Sequence, residues 1–245
     1  MAPDLDLRID LPTGFQANGA FLLSDAGRFK TPGAIKWNGQ PLSLLEQVHE
    51  AEGLEITEDL DLSQRPRADF QWTRLRSVFL GIFVADCTAI LIRAQSPGGP
   101  IVLAIHAGWR GTAAGVIDKA LDQTGCRSGQ AWLSPGISQA QYEVGEDVRE
   151  AFPPEAHSFF EPLRSTKFLF DLKAYQAQLL QKRGFEVYSH PLCTWQQPEL
   201  YSYRQSGAEL QKRHLALIHL GSGDGSARLA SGDRCGTDRG VWHEF

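Results

Sequence analysis

Between Val84 and Gly115 the chain reads VADCTAILIRAQSPGGPIVLAIHAGWRGTAAG, two apolar runs joined by Ser-Pro-Gly-Gly-Pro. β-Branched runs on either side of a strong breaker predict a β-hairpin with strands over 84–92 and 101–105. Asp86 and Cys87 interrupt the first run, and His106 closes the second just before Ala-Gly-Trp-Arg-Gly. The pairing therefore places a thiol and an imidazole near one sheet end, beside glycines that let backbone or ligand come close. A buried cysteine is ordinarily a small hydrophobe. An aspartate inside an apolar run needs a hydrogen-bond donor, a metal or a role, because an unpaired buried carboxylate is costly.

The chain has 245 residues, 42% of them apolar and 22% charged, which suits a globular protein able to bury a core. A formal net charge of −5 argues against nucleic acid or an anionic membrane as the main partner. No apolar run approaches the roughly 18 to 20 residues of a membrane span. The start, MAPDLDLRIDLPTGF, lacks the basic and apolar regions of a secretory signal. Four irregularly spaced cysteines with no CxxC make no disulfide framework and fit a reducing cytoplasm with free or metal-bound thiols.

Along the chain, residues 1–40 read as short strands and turns. Residues 43–50, SLLEQVHE, deliver Gln47 and His49 on a short helix or a strand edge. Residues 51–76 read as loop with a short strand at 70–72, and their charges, Asp69 among them, as solvated surface. The first strand of the hairpin is expected to span 78–92 with an interruption at Gly81. Ala113 to Leu121 has helical spacing, with Thr112 as N-cap and Gly125 as stop, so that Arg110 falls just before a helix N-terminus. A guanidinium there suits a phosphate or carboxylate, or pairs internally with an acid such as Asp86. Further on, a strand ends at Trp132-Leu133 and a tight loop follows over 134–137. Asp171 caps a helix over 172–183 that Gly184 ends, and strands follow over 185–188 and 214–220. Residues 1–220 are expected to form one domain, and 221–245, with Cys235 and His243, a loose tail.

His49, Cys87 and His106 come from well-separated segments, unlike the tight pairs of structural zinc. Three N/S ligands of this kind suit a catalytic zinc with a fourth position open to water or substrate. Cys87 and His106 would equally serve as nucleophile and base. Spacing alone leaves both readings open beside that of unrelated core residues.

QVH at 47–49, ADC at 85–87, HAGWRG at 106–111, SPGI with YEVG across 134–145, FDL at 170–172, CT at 193–194 and YSYR at 201–204 resemble the YfiH family in kind and order. This family is also called the laccase-domain or multicopper polyphenol oxidase family, and the resemblance covers roughly 45–220. It implies an α+β fold of mixed β-sheets with flanking helices, sandwich-like and related to a group of cysteine hydrolases. It also implies zinc, with copper as an alternative at the same site, on His49, Cys87 and His106. Family members are described as phosphorolysing adenosine, inosine and methylthioadenosine and as deaminating adenosine. Older descriptions give a copper-dependent oxidation of phenols, and some members are assigned the editing of peptidoglycan precursors. The partners implied are thus a nucleoside and phosphate. Several positions depart from the family pattern. Glu50 stands where glycine is usual, Gln205 where a second arginine is, and Lys212-Arg213 where a Gly-Arg pair is. An Asn-rich segment with His-Gly-Asp is not recognisable in 1–40. These departures leave room for a non-enzymatic, metal-binding member.

In the enzymatic reading, Cys87, Asp86, His106 and Arg110 carry the chemistry. Asp86 is the first choice for proton relay and Glu50 the second. Arg110 and Arg204 hold phosphate, with Gln47 and Tyr203 completing substrate binding. Tyr142 and Tyr203 are aromatic enough to stack on a base, although packing in the core is the commoner use of such a ring.

Overall fold

A computed structural model describes residues 8–24, 35–207 and 212–221. The expected tail, with Cys235 and His243, lies outside the described residues apart from Gly221. Two six-stranded mixed sheets and a three-stranded sheet carry a few short helices. In the first sheet β1 (Arg8–Asp10) and β2 (Asn18–Ser24) lie at one side, and β3 (Lys36–Trp37) and β4 (Gln40–Leu44) at the other. The second sheet begins at its edge with β5 (Gly53–Glu55) and β6 (Phe70–Thr73).

The expected strand over 78–92 is two strands in different sheets. β7 (Phe79–Val84) sits inside the first sheet and β8 (Thr88–Ser96) inside the second, so Ala85-Asp86-Cys87 is the crossover between them. Gly81 does not interrupt β7. It stays in register with Leu44 and Leu217, because a Cβ there would press on Leu44, Leu215 and Leu42 side chains. The hairpin itself forms as expected. β8 pairs antiparallel with β9 (Gly99–Ala107) from Thr88↔Ala107 to Ser96↔Gly99, around Pro97-Gly98.

The consecutive apolar residues of the hairpin follow from burial on both faces. Ile90, Ile92, Ile101, Leu103 and Ile105 face a core completed by Val116, Ile117, Leu121 and Leu180. Ala89, Leu91, Val102 and Ala104 face the first sheet through Phe21, Leu80, Ile82, Ala216 and Ile218. Hence the second sheet is sandwiched between the first sheet and the helices. The two sheets are also stitched by buried polar groups. Ser43 Oγ donates to Gln71 Oε1 at 2.6 Å, and Gln71 Nε2 donates to the carbonyls of Ser43 and Gly81 at 3.2 and 3.0 Å.

The helix expected over 113–121 is broken. α1 (Trp109–Ala113) ends at Ala114, Gly115 turns left-handed at φ 79°, and α2 (Val116–Thr124) continues to Gly125 at φ 68°. Arg110 is accordingly inside the first turn of α1, and its N-cap is Gly108, not Thr112. Thr112 Oγ1 instead accepts from Gln176 Nε2 at 2.9 Å, while that amide also donates to Ala107 O at 2.7 Å.

β10 (Gly129–Leu133) extends the second sheet from β8. The third sheet is β11 (Glu143–Gly145), β12 (Phe160–Arg164) and β13 (Lys167–Phe170), with α3 (Glu146–Glu150) following β11. α4 (Leu172–Lys182) starts at Asp171, whose carboxylate accepts Ala174 N at 3.0 Å, and stops before Gly184 at φ 85°. β14 (Phe185–Ser189) then pairs parallel with β10, and after α5 (Tyr203–Ser206) the last strand, β15 (Arg213–His219), enters between β2 and β7. Among the described residues no helix is long and apolar enough to cross a membrane.

Candidate functional site

The site is built where β7 hands the chain to β8. Asp86 takes φ 79°, a left-handed conformation costing a non-glycine residue about 1 kcal/mol. Its carboxylate receives Thr194 Oγ1 at 2.6 Å, Ser202 Oγ at 3.0 Å and Arg204 N at 2.6 Å. Its carbonyl accepts Ile137 N at 3.0 Å. Gly136 lies so close that a Cβ there would stand 3.0 Å from that carbonyl. The ADC, SPGI, CT and YSYR segments thus close on one turn. Both oxygens of Asp86 are engaged by donors, which tie the turn that carries Cys87 to the segments at 194 and 202–204.

Gln47 is tied to the same strand, β7. Its amide donates to Phe83 O at 2.8 Å and accepts Phe83 N at 2.9 Å, the two bonds a neighbouring strand would make. Both ends of the amide thus go to β7. What it does is hold the approach to His49, which sits at φ 65° on the rim, exposed to solvent.

His106, at the end of β9, is 3% exposed. Its Nδ1 lies 3.2 Å from Asp69 Oδ1, and its Nε2 lies on the side of Gly108 and Cys87. The His49 ring meets it edge-on, centroids 4.7 Å apart at 88°. A Cβ on Gly108 would be 2.8 Å from Cys87 Sγ and 3.7 Å from His106 Nε2, which explains the glycine of HAGWRG. Burial lowers the His106 pKa, but the bonds to Asp69 and Cys87 and their charges raise it further, to about 9. His49 moves down instead, first by desolvation and then by the charge of His106. Asp69 is held below the usual carboxylate range: burial raises it, but the hydrogen bonds from His106, His49 and Glu50 outweigh that.

Asp69 is the residue that sequence reasoning missed. It is wholly buried, not solvated surface. The signal was its position directly before the buried strand β6, where a charge has no water to face.

Arg110 stacks over Trp109 at 4.3 Å from the ring centroid, and among the described residues its guanidinium makes no ion pair or hydrogen bond. It does not pair with Asp86. Its charge is felt by both His49 and Tyr142. Arg204 is exposed, donates to Glu143 O at 2.9 Å and lies 5.2 Å over the Tyr142 ring. The Tyr142 ring stacks on Phe170 in the core, and its hydroxyl pKa is raised, first by burial and then by Cys87. Tyr203 is 49% exposed and stands under Arg213.

The structure therefore brings His49, Cys87 and His106 near one another, with the charge of Arg110 felt at His49 and those of Arg110 and Arg204 at Tyr142. Two imidazoles and a thiol are a donor set that zinc accepts. Among the described residues no group of three His, Cys, Asp or Glu side chains stands in coordinating geometry. The residues fit the metal by the chemistry of the donor set.

Such a site at the seam of two mixed sheets defines a class, and comparison with known proteins assigns it. The family described as multi-copper polyphenol oxidoreductase laccase matches residues 28–221, and the chain belongs to it. A protein of Pseudomonas aeruginosa named purine nucleoside phosphorylase PA4543 is 37% identical over 172 residues, 67% of this chain and 69% of that one. Escherichia coli YfiH, also named a purine nucleoside phosphorylase, is 33% identical, covering 66% and 67% of the two chains. A protein named adenosine deaminase RL5, from an unknown prokaryote, is 40% identical over 38% of each chain. The crystal structure of NMB0706 from Neisseria meningitidis superposes with a TM-score of 0.71 at 27% identity, covering 88% of this chain and 99% of that one. YlmD from Geobacillus stearothermophilus shares the fold at the same TM-score with 22% identity.

Proposed function

We propose that this chain is a zinc-dependent purine nucleoside phosphorylase acting on adenosine, inosine and methylthioadenosine, with adenosine deaminase activity at the same site. What supports the reading is that the His49 ring meets the His106 ring and that Cys87 lies on the Nε2 side of His106, in a chain whose relatives bear those names. His49, Cys87 and His106 would hold the metal, which when bound acts as a Lewis acid and acidifies water.

The remaining steps belong to the chain. Arg110 and Arg204 supply planar guanidinium groups for the phosphate dianion, and among the described residues the Arg110 guanidinium has no ion pair to give up. In phosphorolysis a phosphate oxygen bonds to C1′ as the bond from C1′ to the purine breaks, its electrons leaving with the base. The Tyr142 hydroxyl, kept protonated by burial, offers a neutral donor beside Cys87. Deamination adds water at C6 and releases ammonia, which needs a carboxylate to move protons. With Asp86 committed to its turn, that task falls to Glu50, exposed next to His49 and fixed through its backbone N–H. Tyr203 is the exposed ring available to stack on the base.

The test is a nucleoside panel with and without phosphate, products read by chromatography, on protein of measured zinc content. Phosphate-dependent release of purine is expected; a zinc-loaded protein that converts none of the three nucleosides refutes the proposal. Multicopper chemistry is disfavoured because His157, His190, His214 and His219 are each engaged in local hydrogen bonds away from the site. A second reading draws on the line Asp69–His106–Cys87, an acid–base–thiol order shared by cysteine hydrolases. It predicts amide hydrolysis by metal-free protein that thiol alkylation abolishes.

A further inference from the structure

We propose that Asp69 is the positioning residue of this site, a single buried carboxylate that presets both histidine donors, one through its backbone and the other through its ring. The inference rests on the zinc reading above.

Asp69 Oδ1 accepts His49 N at 2.8 Å and faces His106 Nδ1 at 3.2 Å, while Oδ2 accepts Glu50 N at 2.6 Å. Its own backbone is tied at both ends. Asp69 N donates to Glu52 O at 2.7 Å, and Asp69 O accepts His106 N, also at 2.7 Å. The carboxylate is 0% exposed, so its charge survives only because three donors replace water.

Two consequences follow for the donors. His49 lies in the left-handed region at φ 65°, a conformation that needs external support, and the paired N–H groups of His49 and Glu50 clamped on one carboxylate supply it. On His106, an Nδ1–H directed at Asp69 leaves the Nε2 lone pair on the side of Cys87 and Gly108, where a metal donor is needed. Because Oδ1 serves both, the backbone of one histidine and the ring of the other are set by one atom. Asp69 touches no substrate and acts through these two residues.

Asp69→Asn keeps the shape but turns one oxygen into a donor. That NH2 must stand either at the Oδ1 position, facing His49 N and the His106 ring, or at the Oδ2 position, facing Glu50 N, so at least one bond is lost. The experiment uses the full chain with zinc alone as probe, its affinity read by chelator competition, and nitrogen NMR on labelled histidine. For the wild type the expectation is His106 bound through Nε2 with Nδ1 protonated. For Asp69→Asn it is zinc affinity about 10- to 100-fold weaker, with kcat reduced and KM for the nucleoside little changed. A wild type that binds no zinc overturns the zinc reading and this role with it. Equal zinc affinity in wild type and variant, or coordination of His106 through Nδ1, overturns the role of Asp69 alone. The NMR measurement on wild type stands even if the variant does not fold.

Discussion

At the scale of the residue, two aspartates that lie outside the donor set shape the pocket. Asp86 fixes the thiol side and Asp69 the imidazole side, each by accepting three hydrogen bonds. The thiol itself is the sharpest single test. Cys87→Ala is expected to abolish zinc binding and phosphorolysis together, and zinc bound at unchanged stoichiometry in that variant, measured by elemental analysis, contradicts the ligand assignment. Gly108→Ala tests the packing against the thiol. A methyl 2.8 Å from Sγ must push it aside, so zinc affinity and activity are expected to fall at least tenfold while the helical circular dichroism stays unchanged. Glu50→Gln separates the two reactions: deamination should drop by about 100-fold, the usual scale of a lost acid–base group, with phosphorolysis retained. Equal losses of both activities would remove Glu50 from the relay.

Elements decide where these residues can go. The run over 78–92 was legible as strand because it is apolar and β-branched. Nothing in it reveals that Ala85-Asp86-Cys87 passes from one sheet to another, since both parts are buried on both faces and look alike. Gln47 shows the same blindness from the other side, because a side chain imitating a strand's hydrogen bonds has no sequence period. The cap at Asp171 was legible, since an acid before an amphipathic run has a local partner at Ala174 N. Its replacement by alanine is expected to lower stability by about 1 kcal/mol, read as a shift in the urea midpoint with the activity kept. A stability equal to the wild type would show that the tertiary contacts of α4 do not depend on that cap.

The whole molecule carries a pH dependence of its own. His190 and His214 are buried and neutral, each lowered to about 4, by burial first. The His214 Nε2 accepts Tyr201 N at 2.8 Å, a bond that a protonated ring cannot make. In the unfolded chain both titrate near 6.5, so between about 4 and 6.5 the unfolded state binds more protons. Stability therefore rises with pH across that window, by up to about 1.4 kcal/mol per pH unit for each group, and acidification removes it. Urea titrations at pH 5 and 7 should show this loss. His214→Gln, whose side-chain oxygen accepts the same N–H, should flatten the slope; an unchanged slope would assign the loss to other groups.

Local chemistry alone settled the hairpin around Pro97-Gly98, the cap at Asp171, the stop at Gly125 and the kinds of residue a site could draw on. These depend on neighbours within a few positions, whose preferences the chain spells out directly. Which aspartate serves which donor, that Gln47 completes β7, and that Arg110 keeps its charge unpaired were decided only by the closing of the two sheets on each other. Those contacts join residues from 19 to 118 positions apart, and a buried carboxylate differs from a surface one by what surrounds it, which no local pattern records.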